Sequence, residues 1–181
     1  MKIERTAIPD VRIVELDRFG DARGFFMETW NAREFARLGI AAEFVQDNHS
    51  RSSRNVLRGL HYQIRQPQGK LLRVSAGEIW DVAVDLRRSS PSFGRWVGVT
   101  LDAATPRMFW IPPGFAHGFV VLSESADVQY KATDFYAPEH ERSLLWNDPA
   151  LAIAWPLAGA EPRLSDKDRR GTPLAAAEVY D

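Results

Sequence analysis

The sequence predicts a mainly β chain: an antiparallel jelly roll (double-stranded β-helix) with a few short helices. Three observations carry this expectation. Short apolar runs recur along most of the chain. Pro and Gly punctuate them, as turns between many short strands do. Where a run is long enough to show a period, the period is two residues. A jelly roll closes two sheets around one core, and its mouth is a natural small-molecule pocket.

Taken in order, VRIVEL (11–16) reads as a strand. NAREFARLG (31–39) is the one early helix: Asn31 can cap it, Phe35 and Leu38 share a face, and Gly39 can end it. LLRVSAG (71–77) and EIWDVAVDLR (78–87) are strands; in the second, Trp80, Val82, Val84 and Leu86 alternate with Ile79, Asp81, Ala83 and Asp85. RWVGVTL (95–101), RMFWIPP (107–113), HGFVVLS (117–123) and ADVQYKATDFY (126–136) continue the series. On the last of these, Tyr130, Asp134 and Tyr136 have one parity and are expected to face one side. The polar tail LSDKDRRGTPL (164–174) predicts a short helix or turn.

The bulk properties narrow the function. A chain of 181 residues suits a single domain over 1–181 with a real core. Hydrophobic residues at 45% and charged residues at 26% describe a soluble globular chain. A net charge of −1 argues against general nucleic-acid binding. The absence of cysteine removes disulfides, zinc–thiolate sites and cysteine nucleophiles. The N-terminus MKIERTAIPDVRIVELD has no apolar signal core, and no run approaches a membrane span, so a cytoplasmic location without a membrane partner is the expectation.

Two stretches carry chemistry. IPPGFAH (111–117) contains P-x-G-x-x-H, a turn that presents His117 on the next strand, and is similar to the second motif of the cupin superfamily. The first cupin motif would be H-x-H with a later glutamate, but RGLHYQ (58–63) places Gln63 where the second histidine would stand. A three-histidine-plus-glutamate metal site cannot be assembled there, so no metal is expected. His61 can then act as a general base, since its unperturbed pKa lies near neutrality. Asp168 in SDKD is a candidate for fixing its tautomer. The plainer alternative is a structural histidine.

The other polar residues divide in the same way. Tyr130 and Tyr136 could line a pocket or be ordinary strand aromatics. Lys70, opening a strand, could stabilise an oxyanion or be a solvated edge lysine. Arg23, Arg58 and Lys167 could hold a phosphate or be solvated surface charges. Arg58 and His61 have opposite strand parity, so both reach one pocket only if Gly59 marks a bulge or the strand begins after it. The chain lacks a G-x-G-x-x-G turn, so nothing suggests a nicotinamide cofactor.

Longer segments make the sequence recognisable. They are RGFFMETWN (23–31), QDNHSRSSRNVLRGLHYQ (46–63), GKLLRVSAGEIWDVAVDLR (69–87), SFGRW (92–96), IPPGFAHGF (111–119), YKATDFYAPEHERSLLWNDP (130–149) and LSDKD (164–168). With these the chain closely resembles the dTDP-4-dehydrorhamnose 3,5-epimerase family of the cupin superfamily. The resemblance implies a cupin-type jelly roll, a homodimer, and neither metal nor organic cofactor. It implies conversion of dTDP-4-dehydro-6-deoxy-D-glucose to dTDP-4-dehydro-L-rhamnose on the route to dTDP-L-rhamnose, a polysaccharide precursor. It implies His61 as the base paired with Asp168, Tyr130 as the opposite-face acid, and Lys70 close to the C4 oxygen. Arg23, Glu28, Gln46, Asp47, Asn48, Arg58, His117, Glu141 and Lys167 match nucleotide-sugar contacts, and Tyr136 matches the aromatic that stacks on thymine. N-terminal strands exchange between subunits in this family, so Arg23 and Glu28 are expected to serve the neighbour's site.

Other readings stay open beside it. A 3- or 5-monoepimerase or a 3,4-ketoisomerase acting on a dTDP-4-keto-6-deoxysugar would share much of the site. A non-catalytic sugar-binding module would not need His61, Lys70 and Tyr130 together. A metal-dependent cupin oxygenase is disfavoured by Gln63.

Overall fold

The computed structural model describes residues 1–181. Its strands, in chain order, are β1 (Lys2–Arg5), β2 (Arg12–Glu15), β3 (Arg18–Asp21), β4 (Gly24–Met27), β5 (Gln46–Ser53), β6 (Leu57–Gln63) and β7 (Lys70–Ala76). They continue as β8 (Glu78–Asp85), β9 (Trp96–Asp102), β10 (Arg107–Ile111), β11 (Phe115–Val121), β12 (Ser125–Ala132) and β13 (Glu141–Ser143). Two short helices, α1 (Ala32–Arg37) and α2 (Asp166–Arg169), complete the set.

The strands form a six-stranded sheet, β1-β2-β10-β7-β12-β5, and a five-stranded sheet, β13-β6-β11-β8-β9, both antiparallel. β3 and β4 pair only with each other. This is the expected jelly-roll architecture. No helix is long and apolar enough to cross a membrane.

Packing explains why the strand β8 shows two apolar parities. Ile79 and Ala83 face the core between the sheets, with Leu72, Val74, Phe109, Phe115, Phe119 and Val128. Val82, Val84 and Leu86 face the other way, under a cover built from the C-terminal third of the chain. There Trp80 packs edge-on against Trp96 and Trp155, with ring centroids 5.8 and 5.3 Å away. On the outer face of the six-stranded sheet, α1 lays the fully buried Phe35 over Val14, Leu71, Met108 and Trp110.

The predicted helix forms as its caps dictate. The Asn31 side chain accepts hydrogen bonds from the Arg33 and Glu34 amides, and Gly39 follows at φ +82°, a conformation that suits glycine. The run 126–136 behaves differently from expectation. β12 stops at Ala132, and Asp134 to Tyr136 lie in the loop beyond. Thr133 and Asp134 end it: the Thr133 hydroxyl accepts from the Gly69 amide, and the Asp134 carboxylate accepts from the Phe135 amide. Phe135 and Tyr136 therefore extend the β-like pattern in sequence while standing exposed in a loop.

Candidate active site

The site is built from inward-facing positions of both sheets. On the five-stranded sheet, His61 of β6 pairs in register with His117 of β11. Between there and Arg58 the register slips by one residue, which is the bulge that opposite strand parity required. Two glycines make room for it. A Cβ on Gly59, which has φ +129°, would stand 2.5 Å from the Gly118 Cα, and a Cβ on Gly118 would stand 2.7 Å from the Arg58 carbonyl oxygen.

His61 meets the α2 helix. Its Nε2 lies 2.5 Å from Oδ1 of Asp168, which is buried at 3% exposure. Ser165 caps α2, accepting from the Asp168 amide and donating to Asp168 Oδ2 at 2.7 Å. The carboxylate is thus held from both sides. Burial pushes the His61 pKa below its ordinary value, opposed by the Asp168 hydrogen bond and charge. Burial also raises Asp168, but its bonds to His61 and Ser165 outweigh this and hold it below the usual carboxylate range. The resting dyad is a neutral imidazole beside a carboxylate, which is the state a general base needs.

The six-stranded sheet supplies Lys70 and Tyr130. Lys70 is no edge lysine: β7 is paired on both sides, by β10 and β12. Burial lowers its pKa to about 8, with Asp81 and Glu141 resisting. Tyr130 shares its strand face with Val128 and Ala132, and its register partner Leu72 stands beside Lys70's row. Burial raises the Tyr130 pKa and the Arg58 charge opposes this, so the phenol keeps its proton at neutral pH. The Glu141 carboxylate on β13 lies within electrostatic reach of His61, Lys70 and Tyr130 alike. Both sheets therefore converge on one region.

The remaining candidates separate. Tyr136 donates its hydroxyl to Glu141 at 3.0 Å, and Lys167 reaches the other Glu141 oxygen at 2.8 Å. Gln46 anchors the same loop by accepting from the Tyr136 amide and donates to Asn48, both on the inward parity of β5. Arg58 donates to Ser52. Asp47 stands on the opposite face from Gln46 and Asn48. It faces outward, bonds Lys131 at 2.9 Å, and lines a groove on the other face of the sheet with Arg73 and Gln129. The pleat sets Gln46 and Asn48 on one face and Asp47 on the other. Arg23 and Glu28 stay outside this chain's interior: Arg23 is exposed at the β3–β4 turn and paired with Asp21, and Glu28 accepts from Asn31. Gln63 serves the loop, donating to the Gln66 and Phe135 carbonyls and accepting from the Ala137 amide. No group of three or more His, Cys, Asp or Glu side chains is arranged to hold a metal ion.

One buried group in this region had only its strand parity to announce it. Asp81 has no exposed surface and bonds His117. A charged residue in the middle of an apolar alternation was the available signal.

The family described as dTDP-4-dehydrorhamnose 3,5-epimerase matches residues 5–176. The chain belongs to the dTDP-4-dehydrorhamnose 3,5-epimerase family. A dTDP-4-dehydrorhamnose 3,5-epimerase of Pseudomonas aeruginosa is 62% identical over 181 residues, covering 99% of each chain. A crystal structure of a dTDP-6-deoxy-D-glucose-3,5-epimerase from Legionella pneumophila, in complex with dTDP-4-keto-L-rhamnose, superposes with a TM-score of 0.95 at 53% identity, covering 98% of this chain and 94% of that one. A 3'-monoepimerase from Streptomyces bikiniensis, in complex with dTDP-quinovose, gives 0.88 at 34% identity, covering 97% and 88%. Structural similarity at lower identity thus extends to a protein named as a 3'-monoepimerase.

Proposed function

We propose that the chain epimerises dTDP-4-dehydro-6-deoxy-D-glucose at C3 and C5, giving dTDP-4-dehydro-L-rhamnose, with no cofactor. His61 removes the proton next to the C4 ketone, and the electron pair of the broken C–H bond moves onto the ketone oxygen as an enolate. Lys70 stabilises that oxygen. Tyr130 then delivers a proton to the carbon from the other side, and solvent restores both groups. Arg58, His117 and Lys167 hold the nucleotide sugar, Gln46 and Asn48 shape the wall, and Tyr136 offers its ring to thymine.

One observation carries this reading: His61 comes from one sheet and Tyr130 and Lys70 from neighbouring strands of the other, all three in the field of a shared carboxylate, Glu141. A sugar between the sheets has a base on one face and an acid on the other, which inversion requires. The close relatives are 3,5-epimerases by name, and the Legionella structure holds the keto-rhamnose product form. Electrostatic stabilisation of the enolate is the largest contribution expected: losing one such donor costs about 3 kcal/mol, or roughly two decades in rate. The nucleotide supplies the binding energy that positions the reacting carbons.

A homodimer with exchanged N-terminal strands belongs to the same proposal. The β3–β4 ribbon stands apart from both sheets and exposes Phe19, Phe25 and Phe26 at 65%, 54% and 69%. Such a ribbon fits a neighbour's surface, where Arg23 and Glu28 would reach its nucleotide. A single domain over 1–181, supported by end-to-end matches to relatives, and a cytoplasmic location complete the proposal.

The test is incubation with dTDP-4-keto-6-deoxyglucose in D2O, following the C3 and C5 protons by NMR. Exchange at both carbons is expected. The likeness to a 3'-monoepimerase favours a second reading, which exchange at a single carbon would select. Tight dTDP binding with no exchange would leave only a binding module.

A further inference from the structure

The interior holds a second carboxylate–histidine pair, and the reaction above gives its carboxylate no role. Asp81 lies in the middle of β8 and faces inward between Ile79 and Ala83. His117 Nε2 stands 2.9 Å from its Oδ1 and 3.1 Å from its Oδ2, with the hydrogen bond directed to Oδ2. Oδ1 has no donor, although the residue is wholly buried. Buried polar atoms are nearly always satisfied, so an exception calls for a cause. Lys70, on the other sheet, has the parity of Leu72, which packs in the same core as Ile79 and Ala83 on either side of Asp81. Burial raises Asp81, and His117 and Lys70 oppose the rise; burial lowers Lys70, and Asp81 is the first of the charges that oppose the fall.

We propose that Asp81 is a positioning residue of the epimerase reaction: it fixes the His117 ring through Nε2 and is the counter-charge that keeps Lys70 an ammonium facing the keto oxygen. The inference rests on the functional reading above. An enolate oxygen needs a cation, but a site that excludes water favours the neutral amine. A carboxylate across the cavity restores the charge. Its hydrogen bond goes to His117 rather than to Lys70, so it acts through space and leaves the ammonium's N–H groups for the substrate. At His117 the carboxylate selects the tautomer with the proton on Nε2 and turns Nδ1 toward the cavity as an acceptor. The other charged groups around Lys70 are Glu141 from β13, Lys167 from α2 and His61 from β6, with Glu141 favouring the ammonium and Lys167 opposing it.

Asp81→Asn tests this, since it keeps the shape and removes the charge. Proton exchange at C3 and C5 is measured against pH for both proteins. Exchange by the wild-type chain comes first; its absence would sink the epimerase reading itself. With the wild type active, the alkaline limb of kcat in Asp81→Asn is expected to fall by about one pH unit or more. At pH 8 a one-unit fall takes the charged fraction of Lys70 from about half to about a tenth, so kcat should drop about 5-fold, with KM little changed. Asp81→Glu, which keeps the charge, should hold the limb in place even at reduced rate. An Asp81→Asn limb that stays put, whatever the loss of stability, overturns the proposal. Imidazole nitrogen NMR of the wild type decides the matter if neither variant folds: Nε2 protonation of His117 supports it, and Nδ1 protonation overturns it.

Discussion

Replacing Asp168 by Asn changes one atom of the dyad and reverses its hydrogen bond. In the structure Oδ1 accepts from His61 Nε2 at 2.5 Å, so the ring's proton sits there and Nδ1 is free to take the substrate's. Ser165 donates its hydroxyl to Oδ2 at 2.7 Å, so in Asp168→Asn the amide carbonyl belongs on the Ser165 side. The amide NH2 then faces His61 and donates to Nε2, and the ring's proton moves to the nitrogen that should act as base. A charge-assisted hydrogen bond is worth about 1.5–3 kcal/mol, or roughly one to two decades of rate. The wrong tautomer adds to this; in a Ser-His-Asp triad the same exchange of carboxylate for amide costs about 10⁴. Asp168→Ala removes the bond without imposing the wrong tautomer, so a loss of about 10² is expected. The order wild type, Asp168→Ala, Asp168→Asn is therefore predicted for C3 and C5 exchange in D2O. Its pH dependence has a definite sign. Burial lowers the His61 pKa and Asp168 resists; in Asp168→Ala the resistance is gone, and the acid limb of kcat/KM should move to lower pH as the plateau falls. The alkaline limb, set by Lys70 near 8, should stay. An Asp168→Asn enzyme that exchanges faster than Asp168→Ala would refute the reasoning.

Tyr130→Phe removes the acid and keeps the base, so C–H exchange should survive better than net inversion; NMR of the product separates the two, and equal loss of both would count against the assignment. Gly118→Ala forces a Cβ to 2.7 Å from the Arg58 carbonyl oxygen. Overpacking of this kind costs about 1–3 kcal/mol, read as a lower urea midpoint, and it should slow exchange because the bulge that aims His61 shifts. Phe26→Asp on the exposed β4 should convert a dimer to monomer in sedimentation and weaken dTDP binding, if the ribbon of one subunit completes the other's site. An unchanged sedimentation coefficient would exclude β4 from that interface.

The alternation at 78–87, the helix capped by Asn31 and ended by Gly39, and the histidine after the Pro-Gly turn were legible in sequence because each rests on near neighbours. The family segments located His61 and Asp168, 107 positions apart, and the structure joins them. Other features depended on partners far along the chain. Tyr136 looked like strand until Gly69 and Asp134 were seen to end β12 at Ala132. Asp47 matched a motif, yet its pleat turns it to the outer face beside Lys131. Lys70 read equally well as a solvated edge residue, and only strands on both sides of β7 place it in a half-buried interior position. Asp81 was one more letter in an alternating strand until packing buried it beside His117. Periodicity, capping and turn chemistry are properties of a few consecutive residues, and so the sequence by itself determined the class of fold. Burial, pairing and the charge a side chain keeps are properties of the whole packed chain, and only the tertiary structure decided them.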